Sequence, residues 1–319
     1  MPRPRRAAII VAFAALYLIW GSTYLAILFA IRSIPPLLMA GSRFVLAGLL
    51  LYSFAARRAP NRFRPMEWRT ALIVGACLLL CGNGGVTLAE QYIPSGLAAL
   101  LVATVPIYIT LLNWIFGLSD RPTGITIAGL AGGFVGVAVL VGPALRISSN
   151  NAPSQAWIGV VILLCSSLIW SAGSLYSRYA HAAASTYLAA AQEMLCGGAL
   201  LLLAGFAGGE LHQLNFSRIT IQSLGSFAYL VLIGGIIGYV SYAWLLRHCD
   251  PAKVATYAYV NPIVAVFLGT IFAGEKLTLR MLLGAALIVS SVATVIMAQQ
   301  MQARARAPVP QVSQPVSCT

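Results

Sequence analysis

A chain of 319 residues that is 60% hydrophobic and 8% charged carries about a third of the charge of an average soluble domain, in which roughly 25% of residues are charged. No soluble fold of this length buries so much apolar surface, whereas a membrane-spanning helix needs roughly 20 apolar residues, so the composition predicts about ten spans and no sizeable domain outside the bilayer. That excludes an extracellular receptor and a large cytosolic enzyme, and it means that the net charge of +13 has to be placed relative to the membrane before it is read as a sign of partners.

The apolar runs predict spans at 7–30, 34–56, 69–89, 94–117, 123–142, 156–178, 184–206, 223–246, 251–273 and 277–299. The first follows Arg3, Arg5 and Arg6; its run is too long for a signal peptide and has no small-residue cleavage site, so it reads as an uncleaved helix. In the fifth span, Gly129 with Gly133 and Gly132 with Gly136 form small-xxx-small patterns that allow either internal packing or a homodimer. A short polar loop at 143–155 separates two halves, 7–142 and 156–299, between a cytoplasmic N-terminus at 1–6 and a tail at 300–319 with no helical period, expected to be disordered. The six cysteines suit packing and imply no disulfide framework.

Lysine and arginine test the ten-span reading. Fourteen fall on the side of the N-terminus, among them Arg57, Arg58, Arg62, Arg64 and Arg69, and five on the other, with Arg43 inside the second span. By the positive-inside rule both termini are cytoplasmic, and nucleic acid is not an expected partner.

The two halves repeat each other. Ile19-Trp20-Gly21-Ser22-Thr23-Tyr24-Leu25 recurs as Ile169-Trp170-Ser171-Ala172-Gly173-Ser174-Leu175, and Arg43 and Glu193 are separated by the same interval. Further along, Pro94 matches Pro251, Pro106 matches Pro262, and Asp120-Arg121 matches Glu275-Lys276. Five spans per half is an odd number, so the second half enters the membrane upside down relative to the first. The expected architecture is an all-α integral membrane protein, ten transmembrane helices arranged as two inverted five-helix repeats.

Three stretches carry a resemblance: Leu18-Ile19-Trp20-Gly21-Ser22-Thr23-Tyr24; Gly82-Asn83 through Glu90-Gln91 to Pro94-Ser95-Gly96-Leu97-Ala98-Ala99-Leu100; and Tyr257-Ala258-Tyr259-Val260-Asn261-Pro262 followed by Gly274-Glu275. With the duplication, they make the chain from about residue 12 to 299 resemble an EamA-type member of the drug/metabolite transporter superfamily, in its YedA-like exporter subgroup. The resemblance implies a multi-pass inner-membrane carrier that exports small metabolites, amino acids among them, or drug-like solutes by alternating access through a central cavity between the halves. Its partners are then a small-molecule substrate and the lipid bilayer, and it needs no cofactor or metal. One departure is Asp120-Arg121-Pro122 where the second half has Glu275-Lys276-Leu277.

Arg43 and Glu193 each lie about ten residues into a span, near the bilayer midplane, where an ionised group costs roughly 2.5–3.5 kcal/mol. They therefore face the interior, and two readings stand: they pair with each other across the repeat axis, or they bind a charged group of the substrate. Glu90, near the end of the third span, is the other carboxylate open to proton coupling. Trp20, Tyr24, Asn83, Tyr108, Trp170, Tyr242, Tyr259 and Asn261 are the aromatic and amide residues expected to line the cavity, because small organic solutes are held by apolar walls with a few polar anchors. Pro106 and Pro262 are expected to break their spans and border the site, each removing a backbone donor.

An intramembrane enzyme finds no support. All three histidines, His181, His212 and His248, fall in predicted loops, and the two aspartates, Asp120 and Asp250, lie in separate loops, so neither a nucleophile with its base nor a metal cluster is present in the membrane. The alternative to a carrier is a membrane sensor or assembly subunit without transport activity.

Overall fold

A computed structural model describes residues 6–57, 64–118, 121, 123–141, 155–183, 185–249 and 251–305. Every regular element among them is helical. Seven stretches are long and apolar enough to cross a membrane: Arg6–Ala30, Pro36–Ala55, Pro65–Ala89, Ser95–Ile115, Ala156–Tyr179, Thr186–Ala207 and Ile221–His248. Three shorter apolar helices, Gly124–Val139, Val260–Ala273 and Leu279–Val295, accompany them. The loop expected at 143–155 lies, up to Ser154, outside the described residues, as do residues 1–5 and 306–319.

In chain order the elements are α1 (Arg6–Ala30), α2 (Pro36–Ala56), α3 (Pro65–Val74), a π-helical stretch π1 (Gly75–Asn83), α4 (Gly84–Ala89), α5 (Ser95–Val102), α6 (Val105–Ile115), α7 (Gly124–Val141), α8 (Ala156–Tyr179) and α9 (Thr186–Ala207). There follow α10 (Glu210–Gln213), α11 (Ile221–Tyr229), a second π-helical stretch π2 (Leu230–Tyr239), α12 (Val240–His248), α13 (Pro251–Val254), α14 (Tyr257–Ala273) and α15 (Leu279–Ala305). Prolines stand in the first turns of α2, α3 and α6, where the missing N–H would have had no partner in any case. Gly274, at φ +67°, ends α14 in the left-handed conformation that favours glycine.

Two boundaries differ from the sequence reading. α15 continues to Ala305, beyond the expected end at 299, because Gln299-Gln300-Met301-Gln302-Ala303-Arg304-Ala305 are all good helix formers. Pro262 does not break its span: it lies inside α14, and the interruption falls earlier, at Ala255–Thr256. The carbonyl that Pro262 frees is that of Ala258, one lost hydrogen bond in a helix that continues through the proline; next to it Asn261, with its amide oriented to donate, reaches Tyr17 O and Tyr257 O at 3.1 Å each. Pro106 does follow a break, at Ala103–Thr104, and stands in the first turn of α6.

The halves interlock reciprocally. α2 packs on its counterpart α9, and α7 on its counterpart α15. π1 lies against α8 and α9, while π2 lies against α1 and α2; α1 packs on α14 as α8 packs on α6. Close approach depends on glycine: a Cβ on Gly198 would come within 2.8 Å of Val45 N, and one on Gly41 within 2.8 Å of Leu202 N. In α7, Gly129 and Gly136 face Val295 and Ile288 of α15, so the small-residue stripe serves internal packing.

Two carboxylates from one half cap helices of the other. Glu210 accepts from the backbone N–H of Leu37 at 3.1 Å and Leu38 at 2.9 Å, at the start of α2. Glu275 accepts from Ser95 N at 2.8 Å, Ser95 Oγ at 2.6 Å and Gly96 N at 3.0 Å, at the start of α5. Each satisfies orphan donors of a helix N-terminus and sets a negative charge at its positive end.

Candidate functional site

The packed helices leave a cavity of about 630 Å³ of empty space, part of it open to the outside. α1 contributes Trp20, Thr23, Tyr24 and Ile27, spaced so that they share one helix face. α2 contributes Arg43 and Phe44; the end of π1 and the start of α4 contribute Asn83 and Val86. Val102, Trp170, Tyr257 and Asn261 close other sides, and π2 presents Gly234, Gly235 and Tyr239.

One wall is a continuous aromatic cluster. Trp20 lies 5.5 Å from Trp170, 4.9 Å from Tyr242 and 5.3 Å from Tyr257 between ring centroids. The contacts with Trp170 and Tyr257 are edge to face, and pairs of that geometry contribute about 0.5–1.5 kcal/mol each beyond the area they bury. Tyr242 is 2% exposed and anchors the cluster: its hydroxyl lies 2.6 Å from Ser174 Oγ and accepts from Trp170 Nε1 at 3.2 Å.

Arg43 and Glu193 do not pair with each other. Arg43 Nη2 donates to Asn83 Oδ1, and the guanidinium carbon lies 4.5 Å from the centroid of the Phe44 ring. Arg43 Nε, buried, has no hydrogen-bond partner. Glu193 accepts from the Tyr239 hydroxyl at 2.8 Å and sits behind that ring, off the cavity wall. Asn83 ends π1 and Tyr239 ends π2, at the same interval that relates Pro106 to Pro262. Each half therefore carries the same device: a charge on its second span bound to the last residue of a π-helical stretch on its third. π-helical turns concentrate at functional sites, because the wider turn redirects side chains and loosens the hydrogen-bond ladder.

Of the residues expected at the site, Trp20, Tyr24, Asn83, Trp170, Asn261 and Arg43 line the cavity, and Tyr242 lies beneath the wall. Tyr108 and Pro106 do not line it. The side chain of Tyr259 is outside the described residues. Glu90 is 3% exposed, away from the wall, with neither carboxyl oxygen hydrogen-bonded. The reading by residue type passed over Thr23 and Ile27, although the helical period from Trp20 points to them. It also passed over Phe44, Val86 and Val102, and the glycines of π2, which line by backbone and leave no mark in composition.

The packing of apolar helices around a solute-sized cavity defines a membrane transporter. The chain belongs to the EamA-like transporter family, whose profile matches it twice, at residues 7–142 and 157–297. It is 39% identical over 272 residues to YedA of Escherichia coli strain K12, named as an uncharacterized inner membrane transporter, with 84% of this chain and 83% of the relative covered. YvbV of Bacillus subtilis strain 168, also named as an uncharacterized transporter, is 28% identical over 91% of both chains. A protein of Escherichia coli strain K12 named as a probable amino-acid metabolite efflux pump is 26% identical over 85% of this chain and 89% of its own. A crystal structure with 19% identity matches with a TM-score of 0.65 over 93% of this chain and the whole of that chain, a likeness of fold alone. The chain is thus a multi-pass inner-membrane transporter of the EamA type, similar to YedA.

Proposed function

We propose that the protein is a secondary carrier that exports small metabolites, amino acids or related compounds, by alternating access through the cavity. Its spans number ten, in two five-helix repeats of opposite orientation, with both termini in the cytoplasm. The reciprocal packing of the halves, the two family matches and the excess of basic residues on the side of the N-terminus support this arrangement. The observation that carries the reading is the cavity itself: aromatic, lined by residues of both halves, with Arg43 the charged residue among the described side chains on its wall. Apolar walls with one fixed charge bind and orient a small amphipathic solute. The amino-acid efflux named for the 26% identical relative points to the same solute class.

Counterflow in proteoliposomes tests it, with pooled labelled amino acids and small cationic drugs, with and without an imposed pH gradient. Flux of an amino-acid pool that is lost in Arg43→Ala is the expected result, and its response to the gradient separates coupled export from facilitated exchange. Absence of flux for every pool, from protein verified as folded and inserted, would overturn the carrier reading in favour of a sensor or assembly subunit.

A further inference from the structure

We propose that the cavity selects for a carboxylate: the solute's carboxylate takes the place of Asn83 on Arg43 while its apolar body lies against the aromatic wall, and an ammonium group contributes little. This rests on the carrier reading and names the chemistry of the solute it carries.

Four observations converge. Arg43 is 3% exposed and is the charged residue among the described residues that line the cavity, so its charge is held at the edge of the space a solute would fill. Its guanidinium is under-used: Nε has no partner, and the hydrogen bond it makes is to a neutral amide. A guanidinium presents its donors as a planar fork that a carboxylate matches with two parallel hydrogen bonds, which a single amide oxygen does not. The other midplane charge is unavailable: Glu193 is bound to Tyr239 behind the wall, and Glu90 is buried away from it. No carboxylate on the described wall faces the cavity to receive an ammonium group, and Arg43 repels one.

The exchange has a structural consequence. Asn83 ends π1, so a carboxylate that takes over Arg43 releases the last residue of that stretch. The π-helical turn is then free to change its hydrogen bonding while the solute is bound, which links occupancy to the shape of the wall.

The test is a matched series with one phenyl body: 3-phenylpropionate, phenylalanine, phenylalaninamide and phenethylamine. Binding is measured by isothermal titration on the full chain in detergent, and flux in proteoliposomes. The expected result is that the two carboxylates bind within threefold of each other and the amide and amine at least tenfold more weakly. Arg43→Gln removes the preference. Asn83→Ala, which takes away the competitor for the guanidinium, tightens 3-phenylpropionate several-fold, an outcome that a merely structural role for Asn83 would not produce. If Arg43→Gln does not fold, Asn83→Ala and Arg43→Lys carry the test. Equal binding of acid and amide, or tightest binding of the amine, overturns the proposal while leaving the carrier reading in place. Carboxylate binding without flux overturns the carrier reading and leaves the selectivity standing.

Discussion

Trp20 and Trp170, which hold the same place in the two halves, meet edge to face at 5.5 Å across the cavity wall. The Trp20 ring is not replaceable by a smaller one without emptying contacts, because Tyr242 and Tyr257 pack on the same indole. Trp20→Ala is expected to destabilise the protein by about 3–5 kcal/mol, and Trp20→Phe by less than half as much. Thermal unfolding in detergent checks the order.

The hydrogen bond between Tyr239 and Glu193 partners a carboxylate that is 5% exposed. Tyr239→Phe leaves that oxygen without its donor, at an expected cost of about 1–3 kcal/mol. Glu193→Gln keeps an acceptor toward the hydroxyl and sheds the buried charge, so it costs less. A double-mutant cycle on unfolding free energies should give a coupling of about 1 kcal/mol or more; additivity would mean that the bond contributes nothing.

The α2–α9 interface leaves no room for a methyl group. Gly198 faces Val45 N and Gly41 O, with 2.8 and 3.0 Å to a hypothetical Cβ, and backbone atoms cannot move aside as the tip of a side chain can. Gly198→Ala should therefore lower stability by about 1–3 kcal/mol, whereas Gly225→Ala, where a Cβ would meet nothing within 4 Å, should not. Melting temperatures of the two variants, measured side by side, settle the comparison.

Glu275 supplies all three acceptor contacts at the start of α5. Glu275→Ala is expected to cost about 1–2 kcal/mol, in the range of a lost N-cap, and to speed hydrogen exchange at the Ser95 and Gly96 amides. Unchanged exchange at those two amides would contradict the cap.

The seven long apolar helices were legible in the sequence because hydropathy over roughly 20 residues is the signal a bilayer requires. The duplication was legible because both halves kept Trp20 and Trp170 at one interval. The face of α1 that lines the cavity followed from Trp20 and Tyr24 at helical spacing. The partners of the charges were not legible: symmetry alone suggested Arg43 with Glu193, while the structure joins each to a residue forty or more positions further along its own half. Nor were π1 and π2, since one wider turn changes no residue type and leaves the apolar pattern intact. Pro262 misled because a proline removes one hydrogen bond of the ladder, here that of the Ala258 carbonyl, and can still be carried inside a packed membrane helix.

Arg43 and Glu193 hold matching positions with opposite sign. A carrier assembled from two separate copies of one half would set like charges at those places, two guanidiniums or two carboxylates about one axis, repelling each other in a medium that screens them little. Joining the halves in a single polypeptide lifts that restriction: one position holds a cation and the other an anion, so one half sets Arg43 on the cavity wall while the other buries Glu193 against Tyr239, a division of roles that no dimer of identical units could present.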